Sequence, residues 1–90
     1  MNRNVIRVAA VFSPNGTIKP VWFDWQGERH TIQEITYRWE SNLGRAQRLH
    51  FTTTADTGLY ELVYNTLEQI WTVREFDNLL RPNERTCGNK

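Results

Sequence analysis

The stretch PVWFDWQGERHTIQEITYRWE, Pro20 to Glu40, is dense in aromatic and β-branched residues and broken once, at Gln26-Gly27. That composition specifies extended chain, and the Gly supplies the positive φ that a tight primed hairpin turn requires. Counting outward from the turn pairs Trp25 with Glu28, Asp24 with Arg29, Phe23 with His30, Trp22 with Thr31 and Val21 with Ile32. Alternate pairs fall on opposite faces. Val21, Phe23, Trp25, His30 and Ile32 form the expected core face, and Trp22, Asp24, Arg29 and Thr31 form the solvent face. Beyond Ile32 the apolar positions become Ile35, Tyr37 and Trp39, which is the other parity. A β-bulge or sharp bend near Gln33 and Glu34 would return all three to the interior of a curled sheet.

The flanking sequence reads as further strands at short spacing. Asn4 to Phe12 is one strand, followed by the turn Ser13-Pro14-Asn15-Gly16-Thr17. Within it Ile6, Val8 and Ala10 are expected inward, because Arg7 then meets water; a one-residue slip would substitute Val5, Ala9 and Val11. Ser41 to Gln47 reads as a polar loop. Arg48 to Ala55 then alternates, with Leu49, Phe51 and Thr53 inward. After Asp56-Thr57-Gly58, the segments Gly58 to Asn65 and Gln69 to Phe76 pair so that Tyr60 meets Val73 and Leu62 meets Trp71. Six strands in meander order favour an all-β fold, a small antiparallel barrel or strongly curled sheet of the SH3-like or OB-like kind. Residues 1–80 make the single domain, and 81–90 form a polar tail expected to be disordered.

Ninety residues bury only about 60 to 65% of the unfolded surface, so large aromatics carry much of the stability. The aromatic fraction is 12%, with 4 Trp, each ring removing roughly 150 to 250 Å² from water when buried. Eleven Lys and Arg against 10 Asp and Glu leave a net charge of +1, which gives no support to a general polyanion binder. Any electrostatic partner needs a local patch. The N-terminal apolar run is interrupted by Arg7 and is too short for a signal peptide or a membrane span. The single Cys87 cannot form an internal disulfide, so a reducing, cytoplasmic setting is expected. Without secretion, the sequon Asn15-Gly16-Thr17 is read as turn chemistry.

The pattern Pro20, Phe23, Trp25, Gly27, Glu28-Arg29, Ile32, Ile35, Trp39, then Gly58-Leu59-Tyr60-Glu61-Leu62 and Trp71-Thr72-Val73, resembles a family of uncharacterised small bacterial β-barrel proteins. The likeness spans most of residues 19–76. Every shared residue is a turn or core position, so the resemblance implies a fold and assigns no function. An association of that family with genes for error-prone DNA polymerases implies a slight bias toward nucleic-acid work. The chain departs from the pattern with His30 where an aromatic is usual.

Catalysis is not expected from the residue inventory. His30 and His50 are the two histidines, and no HExxH, CxxC, P-loop or nucleophile-elbow spacing occurs. His30 reads as a core-edge histidine with one hydrogen-bond partner, and His50 as an unremarkable outward residue. Glu28, Glu34 and Glu40 sit on a turn, a bend and a strand end, a poor arrangement for paired acid–base work. No metal and no cofactor is expected.

Two binding readings remain. The outer set Leu59, Val63 and Ile70 is more apolar than a free surface needs, and calls for cover by Leu79 and Leu80, a protein partner or a second copy of the chain. The other reading is an accessory nucleic-acid surface. No carboxylate lies between Glu40 and Asp56, where Arg45, Arg48 and His50 occur, and Lys19, Arg29 and Arg38 are expected on adjoining outer faces with Trp22. Cations beside an exposed ring suit single strands, because phosphates pair with Arg and bases stack on the aromatic. No membrane partner is expected.

Overall fold

A computed structural model describes residues 4–75, with the backbone alone at Leu43. Six antiparallel strands, β1 (Val5–Phe12), β2 (Ile18–Trp25), β3 (Glu28–Leu43), β4 (Ala46–Ala55), β5 (Gly58–Asn65) and β6 (Ile70–Glu75), follow one another around a closed barrel. Closure is completed by β1 pairing with β6 through Val5↔Thr72 and Ile6↔Trp71. No helix occurs among the described residues, so none is long and apolar enough to cross a membrane. The tail beyond Pro82, Phe76 and the proposed cover by Leu79 and Leu80 lie outside the described residues.

The founding hairpin forms with the register that its turn dictates. Trp22↔Thr31, Phe23↔His30, Asp24↔Arg29 and Trp25↔Glu28 are paired, and both Gln26 (φ 55°) and Gly27 (φ 79°) occupy the left-handed region of a type I′ turn. Val21, however, does not meet Ile32 and is not a core residue. The β1–β2 register shifts there, with Ala9 opposite Trp22 and Ala10 opposite Pro20, so Val21 is the extra residue of a bulge and is 37% exposed. Pro20, which has no N–H to give a ladder, sits buried beside that irregularity.

A second correction falls on β3. Its register against β4 shifts twice, once at Gln33 and again at Thr36. The first bulge turns Ile35 inward, opposite Thr53, as its apolar character demands. The second restores the original parity. Arg38 therefore pairs with inward-facing Phe51, while Tyr37 and Trp39 pair with outward-facing Thr52 and His50. Tyr37 is 62% exposed and Trp39 41%, not interior as one bulge would have made them.

Ser41 to Gln47 is not a loop. β3 and β4 continue as a ladder through Ser41↔Arg48, Asn42↔Gln47 and Leu43↔Ala46, closed by the two-residue turn Gly44-Arg45 with Gly44 at φ 62°. The β5–β6 register also differs from the count by two residues: Tyr60↔Glu75, Leu62↔Val73 and Tyr64↔Trp71. Asn65 is the cause. Its Oδ1 accepts from the N–H groups of Leu67 and Glu68, and Gln69 lies at φ 61°, so Gln69 belongs to the turn rather than to the strand. A slip of two keeps every residue on its face.

Apart from Val21, Tyr37 and Trp39, the expected core residues do face inward: Phe23, Phe51, Tyr60, Leu62, Trp71 and Val73 are buried, with Ile6, Val8, Ala10 and half-buried Trp25 packed against them. The core has two aromatic layers. At one end Phe23, Trp25, His30 and Tyr60 meet, with ring centroids 5.0 Å apart for Phe23–His30 and 5.1 Å for Phe23–Tyr60. At the other, Trp71 lies 4.8 Å from Tyr64 and 5.7 Å from Phe51. His30 is buried and shares a 2.8 Å hydrogen bond with the Thr57 hydroxyl, the single-partner core-edge role expected of it.

Candidate functional site on the outer face of β3 and β4

The second bulge decides what the barrel shows to its surroundings. By reversing parity at Thr36 it puts Tyr37, Trp39 and Ser41 of β3 on one outward face with Arg48, His50 and Thr52 of β4. Trp39 stacks on the His50 imidazole, with centroids 3.7 Å apart and planes 7° from parallel. The imidazole is held at both nitrogens. Its Nε2 is 2.8 Å from Ser41 Oγ, and its Nδ1 is 3.1 Å from Glu61 Oε2. An ionised carboxylate can only accept, so in the neutral ring Nδ1–H donates to Glu61 and the Ser41 hydroxyl donates to Nε2. Arg74 reaches the other oxygen of Glu61 at 3.4 Å. The side chains of His50 and Glu61 are only 12% and 13% exposed, so His50 is outward but neither free nor unremarkable.

The consequence is a preorganised ring. One face of the Trp39 indole rests on an imidazole hydrogen-bonded at both nitrogens, and the residue remains 41% exposed. Tyr37, two residues back along the same face, lies about 6.4 to 6.8 Å away along the strand. Arg48 stands directly across the ladder from Ser41, and Arg45 is exposed at the hairpin tip.

The expected basic set is thus divided. Arg48 and His50 share the β4 outer face, and Arg45 stands at the hairpin tip beyond them. Lys19 lines a cleft with Arg38 where β3 leaves β2, and Trp22 and Arg29 lie on the outer face of β2 and the first part of β3, which is a different surface. There Trp22 is half-buried, and the Arg29 guanidinium sits 3.5 Å from its ring centroid, occupying the face a base would need. Arg38 is on the inward parity, 5.5 Å from the Phe51 ring, not beside Trp22. It lines the gap left where β3 departs from β2.

Arg29 is also committed electrostatically. Asp24 accepts from Arg29 Nε at 2.9 Å and from Arg7 Nη2 at 2.7 Å. Chiefly through the Arg29 hydrogen bond, its carboxyl falls from the ordinary 3.8 to about 2, and the Arg29 guanidinium rises in turn through Asp24. A depressed folded-state value contributes stability above the unfolded value and loses it as pH falls. Acid titration of the melting temperature should therefore show a component lost between pH 3.8 and about 2. That component should be missing from Asp24→Asn; an unchanged acid limb in the variant would show that the cluster does not contribute.

Of the apolar outer set, Val63 and Ile70 line an open concavity of about 540 Å³ together with Arg48, His50 and Arg74. Leu59, 36% exposed, is separated from them along β5 by Glu61. Sequence reasoning missed Tyr37, Trp39, Ser41 and Glu61 as surface residues of one site. No protein-family model matches the chain, and no curated protein or solved structure matches it significantly.

Proposed function

We propose that this barrel binds single-stranded nucleic acid through the outer face of the β3–β4 hairpin. The observation that carries the reading is Trp39 held flat against a locked imidazole, with Tyr37 one strand repeat away. A stacking platform that is already ordered binds a base without the entropy cost of fixing a mobile ring. Arg48 shares that outer face, Arg45 stands beyond it at the hairpin tip, and the carboxylate-free run from Ser41 to Ala55 keeps repulsion of phosphate low. The sequential closed strand order is that of an up-and-down meander rather than a Greek-key OB-fold, so the binding face we propose is an outer hairpin surface rather than an OB groove.

Titration of a labelled oligonucleotide across a salt series tests this. For single strands the log-log slope is roughly −0.7 per neutralised phosphate, so changing Arg45 and Arg48 together to Ala should flatten it by about one to one and a half. Lys19→Ala, outside that face, should leave it unchanged. Absence of binding below roughly 100 μM at about 50 mM salt, where phosphate contacts are strongest, would remove the proposal.

A second reading rests on the Val63–Ile70 concavity, beside which Leu67 is 62% exposed and Val5 53%. Under it the domain is an interaction module that takes a second copy or another protein on the outer face of β5 and β6. Sedimentation should then show a concentration-dependent dimer lost on Val63→Asp or Ile70→Asp. A monomer at all concentrations would exclude the self-associating form.

A further inference from the structure

Ser41, His50 and Glu61 come from three neighbouring strands and are joined in one direction: hydroxyl to Nε2, Nδ1–H to carboxylate. We propose that Ser41 is a general-base-activated nucleophile that attacks small acyl esters, an activity beyond the binding role argued above. A serine hydroxyl is a weak nucleophile by itself and needs a base within hydrogen-bond reach, itself oriented by a third group. Each condition is met by a contact in the structure. The Ser41 Oγ–His50 Nε2 distance of 2.8 Å places the base, and the Glu61 carboxylate fixes the tautomer that leaves the Nε2 lone pair on the hydroxyl. Arg74 on Glu61 and the indole stacked on the imidazole keep both groups from turning away. The imidazolium formed on proton transfer would meet the Glu61 carboxylate at its edge and the Trp39 π-face above it, both favourable to positive charge.

Arg48 supplies the remaining element. It is the direct cross-strand partner of Ser41 on the same outward face, where directly opposed Cβ atoms lie about 4.5 to 5.5 Å apart, which brings a cation within side-chain reach of an oxyanion developing beside Ser41. Arg48 and His50, the two neighbours of Ser41, also line the concavity with Val63 and Ile70, and that apolar side is where a short acyl group would lie. In the first half-reaction Oγ bonds to the carbonyl carbon and its proton passes to Nε2. The carbonyl oxygen takes the electron pair, and collapse breaks the bond to the alcohol, which leaves with the proton from Nε2. Water then adds to the acyl-serine with Nε2 as base, releasing the carboxylic acid and restoring the Ser41 hydroxyl.

The chain contains two serines, Ser13 and Ser41, so it carries its own reference. The full chain is incubated with a fluorophosphonate and, separately, with p-nitrophenyl acetate, and adducts are mapped by peptide mass spectrometry. General-base assistance is worth about 10²–10⁴, so Ser41 should be modified at least about a hundredfold faster than Ser13 in the wild-type protein. Glu61, a positioning residue, gives the second arm. Glu61→Gln, whose amide can donate to Nδ1 and favour the wrong tautomer, should lose most of that advantage, and Glu61→Asp should recover part of it. Ser41→Ala should abolish the adduct, and oligonucleotide affinity is read separately on the unlabelled wild-type chain, which separates failure of this proposal from failure of the binding one. Equal labelling of the two serines in the wild type, or a Ser41 rate indifferent to Glu61→Gln, would overturn it.

Discussion

Trp71→Ala should cost about 3 to 5 kcal/mol and leave the domain largely unfolded at room temperature. Trp71 is 8% exposed and stands where the barrel closes: it pairs with Tyr64 of β5 on one side and with Ile6 of β1 on the other. Among the described residues the β1–β6 seam has two paired positions, extended by the Val73 N–H donating to the Asn4 carbonyl, and the Trp71 indole packs at its centre. Truncating the indole removes the ring contacts to Tyr64 and Phe51 and opens a cavity at the closing seam. For a domain of this size each kcal/mol shifts the melting temperature by roughly 4 to 8 °C, so a loss of about 15 °C or more is expected by circular dichroism. Trp25→Ala should cost less, since Trp25 is only half-buried at the opposite aromatic layer. A Trp71→Ala melt within a few degrees of wild type would mean that the seam is held otherwise.

Where a two-residue turn anchors the count, the sequence could be read to the residue, and the Gln26-Gly27 hairpin is the case in point. Faces survived even a wrong register: the β5–β6 slip of two left Tyr60, Leu62, Trp71 and Val73 buried. Bulges defeat the method, because one extra residue reverses everything beyond it and carries no sequence signature of its own. Val21 and Thr36 are such residues. For Thr36 a second signal was available. Reading Gly44-Arg45 as a tight turn pairs Leu43 with Ala46 and, counted back, Trp39 with His50 and Arg38 with Phe51. With Phe51 inward, Trp39 must then face out. The polar residues Ser41, Asn42 and Gln47 suggested a loop instead and hid that count. The Ser41–His50–Glu61 contacts are diagonal ones across two ladders, so they required both registers to be known.

Trp39→Ala should weaken oligonucleotide binding by about 1 to 3 kcal/mol, roughly ten- to a hundredfold, with little change in stability. The asymmetry follows from its position. The indole is outside the core, 41% exposed, and its one packed face rests on His50 rather than on the barrel interior. Any base that stacks on it gains a ring already held in place, and alanine removes the surface and the order together. Trp39→Phe separates these effects: a smaller ring still stacks on the imidazole and should recover part of the affinity. Tyr37→Ala, at the neighbouring but less supported position, should lose less than Trp39→Ala. Trp22→Ala should leave affinity unchanged, because the Arg29 guanidinium already covers that ring. Fluorescence anisotropy at fixed low salt measures all four. If Trp22→Ala weakened binding and Trp39→Ala did not, the binding face would be the β1–β2 surface, and the reversal of parity at Thr36 would have no part in function.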